Sequence, residues 1–334
     1  NSFETVLYTG NGGTQNISTS FAPDLTWVKG RTGVPESHAL ADSIRGADNV
    51  LTPNSTGSEY YNSTYQFNSF NPNGFTITDN PAGNYGVNGN GINYVAWCWK
   101  AGGLPTINTD GNITTLVSAN VAAGFSIVKY IGSSTLVDTI GHGLGTPDLI
   151  ICKNTGSSAN WAVWSSSFSA SSETLFLDLQ DSSNQYTNRF GTVNSTTFQA
   201  GSNGGSEVNP SGIGMIAYCF KSISGYQKIG SYTWTGTSYT AGTMVTGLGF
   251  TPSFVMIKGS DVTSNWSMYD NQRVSGTQSF RLAANSSEDE DQVGYQGIIF
   301  DSNGFSAGAG ADGNVTGSSG LNENGKTYIY LAIA

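Results

Sequence analysis

Hydrophobic residues in this chain gather in runs of six or seven, separated by short stretches of Gly, Asn, Ser and Thr. One run reads Pro23-Asp24-Leu25-Thr26-Trp27-Val28-Lys29. It returns as Pro147-Asp148-Leu149-Ile150-Ile151-Cys152-Lys153 and again as Pro252-Ser253-Phe254-Val255-Met256-Ile257-Lys258. The three lysines stand 124 residues (29 to 153) and 105 residues (153 to 258) apart. Solenoid units and propeller blades repeat every ~20–50 residues, whereas about a hundred residues make a small domain. The pattern therefore predicts three copies of one β module, over residues 1–103, 124–223 and 224–334. Residues 104–123 read as a linker, and the junction at 222–225 is very short.

Other runs keep the same order. Each copy opens on a strand, at Thr5–Gly10, Phe125–Tyr130 and Tyr226–Tyr232. Eight residues past the lysine stand Trp161 and Trp266, with Ser37-His38 in the first copy. A later strand carries Leu51, Phe176-Leu177 and Leu282, and polar turns follow at Asn54, Gln180 and Asn285. The closing strands run Tyr94–Lys100, Met215–Lys221 and Tyr328–Ala334, after Asn90-Gly91, Ser211-Gly212 and Asn324-Gly325. Asn-Gly before an apolar run signals a hairpin, because both turn positions favour positive φ. The closing strands are apolar at almost every position, as expected of strands covered on both faces. The fold class expected is all-β, as three tandem antiparallel β-sandwich modules that are jelly-roll-like, with an immunoglobulin-like Greek key as the alternative topology, each able to build its own core. The stretch Ser37–Val50 reads as a loop or a single turn.

Composition narrows the partners. Glycine is abundant at 44 of 334 residues, only 11% of residues are charged, and 12% are aromatic, which suits a β protein with many tight turns. The net charge of −10 and the scattered basic residues argue against nucleic acid, which needs clustered Lys and Arg. The dense run Glu288-Asp289-Glu290-Asp291 reads as a solvated loop. Cys98 and Cys219 share a position in separate modules, and Cys152 stands where the other copies have Val28 and Ile257, so all three read as free and buried. No signal peptide, apolar membrane-spanning run or starting Met is present, and the residues read as a fragment of a longer or processed polypeptide.

Catalysis finds little to work with. The two histidines, His38 and His142, do not recur between copies and read as surface or turn residues, not as bases beside a nucleophile. Glycosidase chemistry would need two carboxylates across a cleft, and no pair among Asp24, Asp42, Asp148, Asp178, Asp270 and Glu173 stands out. Asp24 and Asp148 recur in a turn and read as caps of backbone N–H groups. No cofactor is expected. Asp110, Asp301 and Asp312, each in an Asp/Asn-Gly turn, are the candidate Ca²⁺ ligands, although none completes an EF-hand. Tyr60, Tyr61, Tyr65, Trp164 and Trp234 are the candidate stacking platforms for sugar rings, while the recurring Trp161 and Trp266 belong to the core.

The motifs together resemble an uncharacterised tandem β repeat module of marine bacteriophage virion proteins of the tail-fibre kind. Copy one carries the likeness best, in Tyr8-Thr9-Gly10-Asn11-Gly12, the Pro23–Lys29 strand, Ser37–Ala47 with its Arg45-Gly46, and Tyr94–Lys100. Copies two and three lack the Arg-Gly pair. The resemblance implies a non-enzymatic component of the virion surface, outside the cell, such as a tail fibre or spike used in host attachment. Its expected partners are further copies of itself in a trimer, other virion proteins and host surface polysaccharide, without membrane insertion. The alternatives are a capsid-decorating or tail-scaffold subunit without ligand, a bacterial adhesin or filament subunit, and, less favoured, a carbohydrate-active enzyme.

Overall fold

Each closing strand has two apolar faces, and the computed structural model gives each face its own core. It describes residues 1–33, 36–61, 66–79, 86–236, 241–276, 278–290, 297–308 and 321–334. Among these the named strands pair antiparallel, and the only helix is one 3₁₀ turn, Ser183–Gln185.

Module 1 stacks two sheets. In the first, Asn93–Trp99 lies between Phe3–Thr9 and Leu25–Gly30, with Ala39–Asp42 at the edge. In the second, Gly74–Thr78 lies between Thr14–Ser18 and Gln66–Asn71. First strand beside last and second beside next-to-last is the Greek-key wrap of a jelly roll. Modules 2 and 3 repeat it, with Gly214–Phe220 and Thr327–Ile333 as central closing strands. The turn before each closing strand needs φ near +70°, which Gly91, Gly212 and Gly325 adopt at 77°, 69° and 77°.

Alternation along the closing strands separates the cores. Tyr94, Ala96 and Cys98 fill the sandwich of module 1, as Met215, Ala217 and Cys219 fill module 2 and Tyr328, Tyr330 and Ala332 fill module 3. The residues between them, Val95, Trp97 and Trp99, Ile216, Tyr218 and Phe220, and Ile329, Leu331 and Ile333, all enter one further cluster. That cluster draws on all three modules. Trp99 lies within ring contact of Phe125, Phe220 and Phe254, and Phe3 meets Phe254 at 5.3 Å. An apolar-lined void of about 20 Å³ sits inside it, lined by Trp27, Trp99, Trp161, Tyr218, Phe254 and Leu331 among others. The modules are therefore fused through a shared interior and are not three independent cores. Large side chains buried there stabilise by about 1.5–3 kcal/mol each, so separating the modules would cost many such burials.

Three further expectations change. Residues 104–123 are no free linker: Thr106–Asn108 and Thr115–Asn120 add two strands to the edge of the module 2 sheet. Within Ser37–Val50 the segment Ala39–Asp42 is a fully buried strand. Copy two's polar turn begins at Asp178, not Gln180. Asp178 accepts the Trp161 backbone N–H at 2.8 Å, as Asn54 does for His38 and Asn285 for Trp266. The three cysteines are free and buried.

Candidate functional site

Buried polar contacts recur at equivalent places in the seams between modules. At each seam an aromatic N–H from an equivalent position crosses to a backbone carbonyl of the module before it. Trp161 donates Nε1 to the carbonyls of Thr52 and Ser55 at 3.2 and 3.1 Å. Trp266 donates Nε1 to Phe176 O at 2.8 Å. At the third seam His38 takes this role: Nδ1 accepts the Trp27 indole N–H at 2.8 Å, which leaves Nε2 to donate to Ala283 O at 2.9 Å. Burial pushes His38 down to about 3, so the ring is the neutral tautomer. Both histidines are fully buried, contrary to the surface reading. His142 accepts the Leu144 N–H on Nδ1 and bonds Asn194 O through Nε2.

A backbone bond returns across each seam at equivalent positions. Glu59 N–H donates to Thr155 O, Ser183 N–H to Ser260 O, and Glu290 N–H to Arg31 O, at 2.9, 2.8 and 2.8 Å. Thr155, Ser260 and Arg31 each lie two residues past a repeat lysine. Module 1 thus meets 2, 2 meets 3, and 3 meets 1. The chain closes into a ring with quasi-threefold order.

The repeat lysines lie inside these seams. Lys153 Nζ donates to Ala159 O and to Thr56 O of module 1 at 2.6 and 2.9 Å. Lys258 Nζ donates to Gln180 O and Asp181 O of module 2 and to Gly259 O at 2.9–3.1 Å. Lys29 Nζ donates to Gly30 O at 2.9 Å. Burial pulls Lys29 and Lys153 down to about 8 and Lys258 to about 7.

Two seams also hold ion networks. At the seam of modules 1 and 2, Tyr218 Oη donates to Asp42 at 2.7 Å, and Arg45 binds Asp42 and Glu59 at 2.6 and 2.9 Å. Burial opposes the Arg45 charge, but Asp42, Tyr218 and Glu59 outweigh it and raise its pKa. At the seam of modules 3 and 1, Trp97 donates to Asp270, and Arg273 binds Asp270 and Glu290 at 2.7 and 3.1 Å. Arg31 adds a second bond to Glu290 at 2.8 Å, and Asp289 accepts the Gly33 N–H. The acidic run is therefore an interface element; Glu290 is buried, and Asp291 lies outside the described residues. Sequence comparison misses Arg273 because it is followed by Val274, although it repeats the placing of Arg45 three residues after a strand-end Asp.

The sequence-predicted sugar platforms among the described residues, Tyr60, Tyr61, Trp164 and Trp234, do not form one site. Trp234 is buried in the module 3 core, with Gly236 and Gly242 pressed against its ring, and is a packing residue. Tyr60 packs on the module 1 core, Tyr61 is 68% exposed, and Tyr65 lies outside the described residues. Trp164 is mostly covered, and its indole N–H donates to Ser171 O at 3.2 Å. It is no open stacking face, but with Phe190 it lines the floor of a groove of about 430 Å³. Asn188, Thr192 and Gln199 are among the polar residues lining that groove, and the described lining carries no charge. An uncharged, polar lining over an aromatic floor suits a neutral polar ligand.

Of the Ca²⁺ candidates, Asp110 sits in a bend and Asp301 ends the strand Ile298–Asp301. Asp110 is exposed and accepts the Asn108 side-chain amide at 2.8 Å. Asp301 accepts the Ser306 hydroxyl, and Asp312 lies outside the described residues. No group of three or more His, Cys, Asp or Glu among the described residues is placed to hold a metal ion. Asp24 and Asp148 cap the N–H groups of Ala101 and Ser222 at 2.8 Å, as the repeat suggests. Glu173 and Asp261 share a polar cavity at the remaining seam. Asp261 is exposed, and Glu173 accepts two serine hydroxyls.

No helix among the described residues is long and apolar enough to cross a membrane. No curated protein and no solved structure matches the chain. One family model does, and it spans residues 1–334 as one unit, in keeping with three modules that share an interior. The chain belongs to the family described as a domain of unknown function, DUF7483.

Proposed function

We propose that the protein is a non-enzymatic structural component of a phage virion surface, a tail fibre or spike part that touches the host. The observation that carries this reading is the use of the buried ionisable groups. Lys153, Lys258 and His38 donate across a seam, and Asp42, Asp270 and Glu290, the acids that hold Arg45 and Arg273, accept from Tyr218, Trp97 and Arg31 of the neighbouring module. A chain that commits its reactive groups to rigidity suits load-bearing and contact. The neutral groove over Trp164 and Phe190 is the attachment point, and a host polysaccharide is its ligand. Further copies of the chain, as a trimer, and other virion proteins complete the assembly, and its place is extracellular.

The test is a glycan array with the wild-type chain, followed by titration of the bound sugar. Asn188→Gly removes a groove amide while keeping the positive φ of 59° that this residue adopts. Together with Thr192→Ala it should weaken binding about tenfold or more and leave the far-UV spectrum unchanged, a loss of about 1.4 kcal/mol. No binding to any glycan, or binding indifferent to both changes, would remove the attachment reading.

A second reading, an architectural subunit without ligand, has one observation in its favour. The two strands added at 106–120 carry exposed Ile107 and Leu116 beside exposed Leu104 and Ile131. An exposed apolar edge of this kind marks an assembly surface.

A further inference from the structure

The ring is quasi-threefold in its backbone but not in its charges. At the seam of modules 2 and 3 each member of the ion network is replaced. Ser165 stands where the others have Asp42 and Asp270, since all three pair with the second residue after the repeat proline. Phe168, three residues on, stands for Arg45 and Arg273. Ser183 stands for Glu59 and Glu290, as the returning backbone bond shows. Leu331 faces this seam in place of Tyr218 and Trp97.

A cavity of about 330 Å³ opens here. Ser167 and Ser169, which flank Phe168, line it with Glu173, Ser183, Ser260 and Asp261. Glu173 accepts the Ser183 hydroxyl at 2.6 Å and that of Ser169, and Asp261 accepts the Thr327 N–H at 2.8 Å. Each carboxylate keeps further acceptor capacity. The described lining thus holds two carboxylates and no basic side chain, at the one seam without an arginine of its own.

We infer that this cavity takes a guanidinium or ammonium group from a partner protein, an arginine or lysine side chain that does for this seam what Arg45 and Arg273 do for the other two. A carboxylate binds guanidinium through charge-assisted, forked hydrogen bonds. The flanking serines offer hydroxyl oxygens to the remaining N–H groups. The inference stands apart from the sugar groove, which lies on the Trp164 side of module 2.

L-arginine and L-citrulline test it, because they share shape and differ in the guanidinium charge. In titrations of the whole chain followed by amide NMR, arginine should shift the resonances of Ser169, Ser183 and Ser260 and bind about tenfold or more tightly than citrulline. Added salt should weaken it. Glu173→Gln with Asp261→Asn should abolish the difference between the two ligands. In a second arm, Ser165→Asp, Phe168→Arg and Ser183→Glu together rebuild the missing network and should remove arginine binding. Equal response to both amino acids, arginine binding that survives loss of both carboxylates, or binding of neutral sugars at these serines in place of arginine overturns the inference. The carboxylate variant decides the matter if the rebuilt seam fails to fold.

Discussion

Trp97 donates its indole N–H to Asp270 at 3.0 Å, across 173 residues of sequence and from the first module to the third. The same carboxylate binds Arg273, whose guanidinium stands 5.5 Å from the centre of the Trp97 ring. One fully buried acid therefore serves an aromatic donor and a cation from opposite sides of a seam.

Removing that acid should be severe. Asp270→Ala leaves the Arg273 charge, which is 0% exposed, without its nearest partner, and breaking a buried pair in this way costs about 3–5 kcal/mol. Asp42→Ala should cost a similar amount at the seam of modules 1 and 2. Ser165→Ala, at the matching position of the third seam, should cost less than about 1 kcal/mol. Urea titrations of the three variants compare them directly, and equal losses would show that the ion networks contribute nothing of their own.

Cooperativity is a second consequence. Because the modules share one interior, the whole chain should unfold in a single transition whose calorimetric and van't Hoff enthalpies agree. Residues 124–223 expressed alone should bind a hydrophobic dye and precipitate, since Ile216, Tyr218 and Phe220 would face water. A well-folded, monomeric isolated module would contradict the fused core.

The lysines give a pH signature. Their folded pKa values, about 8, 8 and 7, lie below the ordinary 10.5, so the unfolded chain holds more protons than the folded one across that interval. Stability from these groups is fully present above 10.5 and is lost as pH falls through 8 and 7. Glu36, pushed up to about 7 by burial, acts in the opposite sense, losing its contribution as pH rises from 4.5 to 7. The cysteines, raised by burial, oppose the lysines from about pH 9. Thermal stability should thus climb between pH 7 and about 8.5, and Lys258→Met should flatten that climb. A flat wild-type profile in this window would mean that the carbonyls around Nζ hold these amines fully charged.

His38 offers a further check. If its Nε2–H crosses the seam as the Trp161 and Trp266 indoles do, His38→Gln, which keeps a donor, should cost less than His38→Leu, which leaves the Ala283 carbonyl without its partner. The difference should be about 1–2 kcal/mol in a denaturant titration. No difference would reduce His38 to a packing residue.

Much of this was written in the periodicity. The three lysine-ended strands, the glycine turns and the doubly apolar closing strands specify sandwiches, and the recurrence of Trp161 and Trp266 marks them as core. Their hydrogen-bond partners were not legible, because Thr52 and Phe176 lie 109 and 90 residues away in another module. Sequence pattern shows that a strand has two apolar faces but not what covers the second. For the same reason Trp164 and Trp234 read as surface platforms, and Glu290 read as a solvated acid. A one-dimensional alignment also cannot see that Ser165, Phe168 and Ser183 are one coordinated change, since only the seam brings them together.

The closed ring sets a problem of timing. A ribosome releases module 1 first, with Trp27, Trp97 and Trp99 ready on a face that only later segments cover. At about 5–20 residues per second, the third module follows roughly ten to fifty seconds afterwards. Through that interval the newborn first module carries an uncovered, aromatic-rich sheet. Its yield in a cell should therefore depend on whether a chaperone shields that surface until Asp270 arrives.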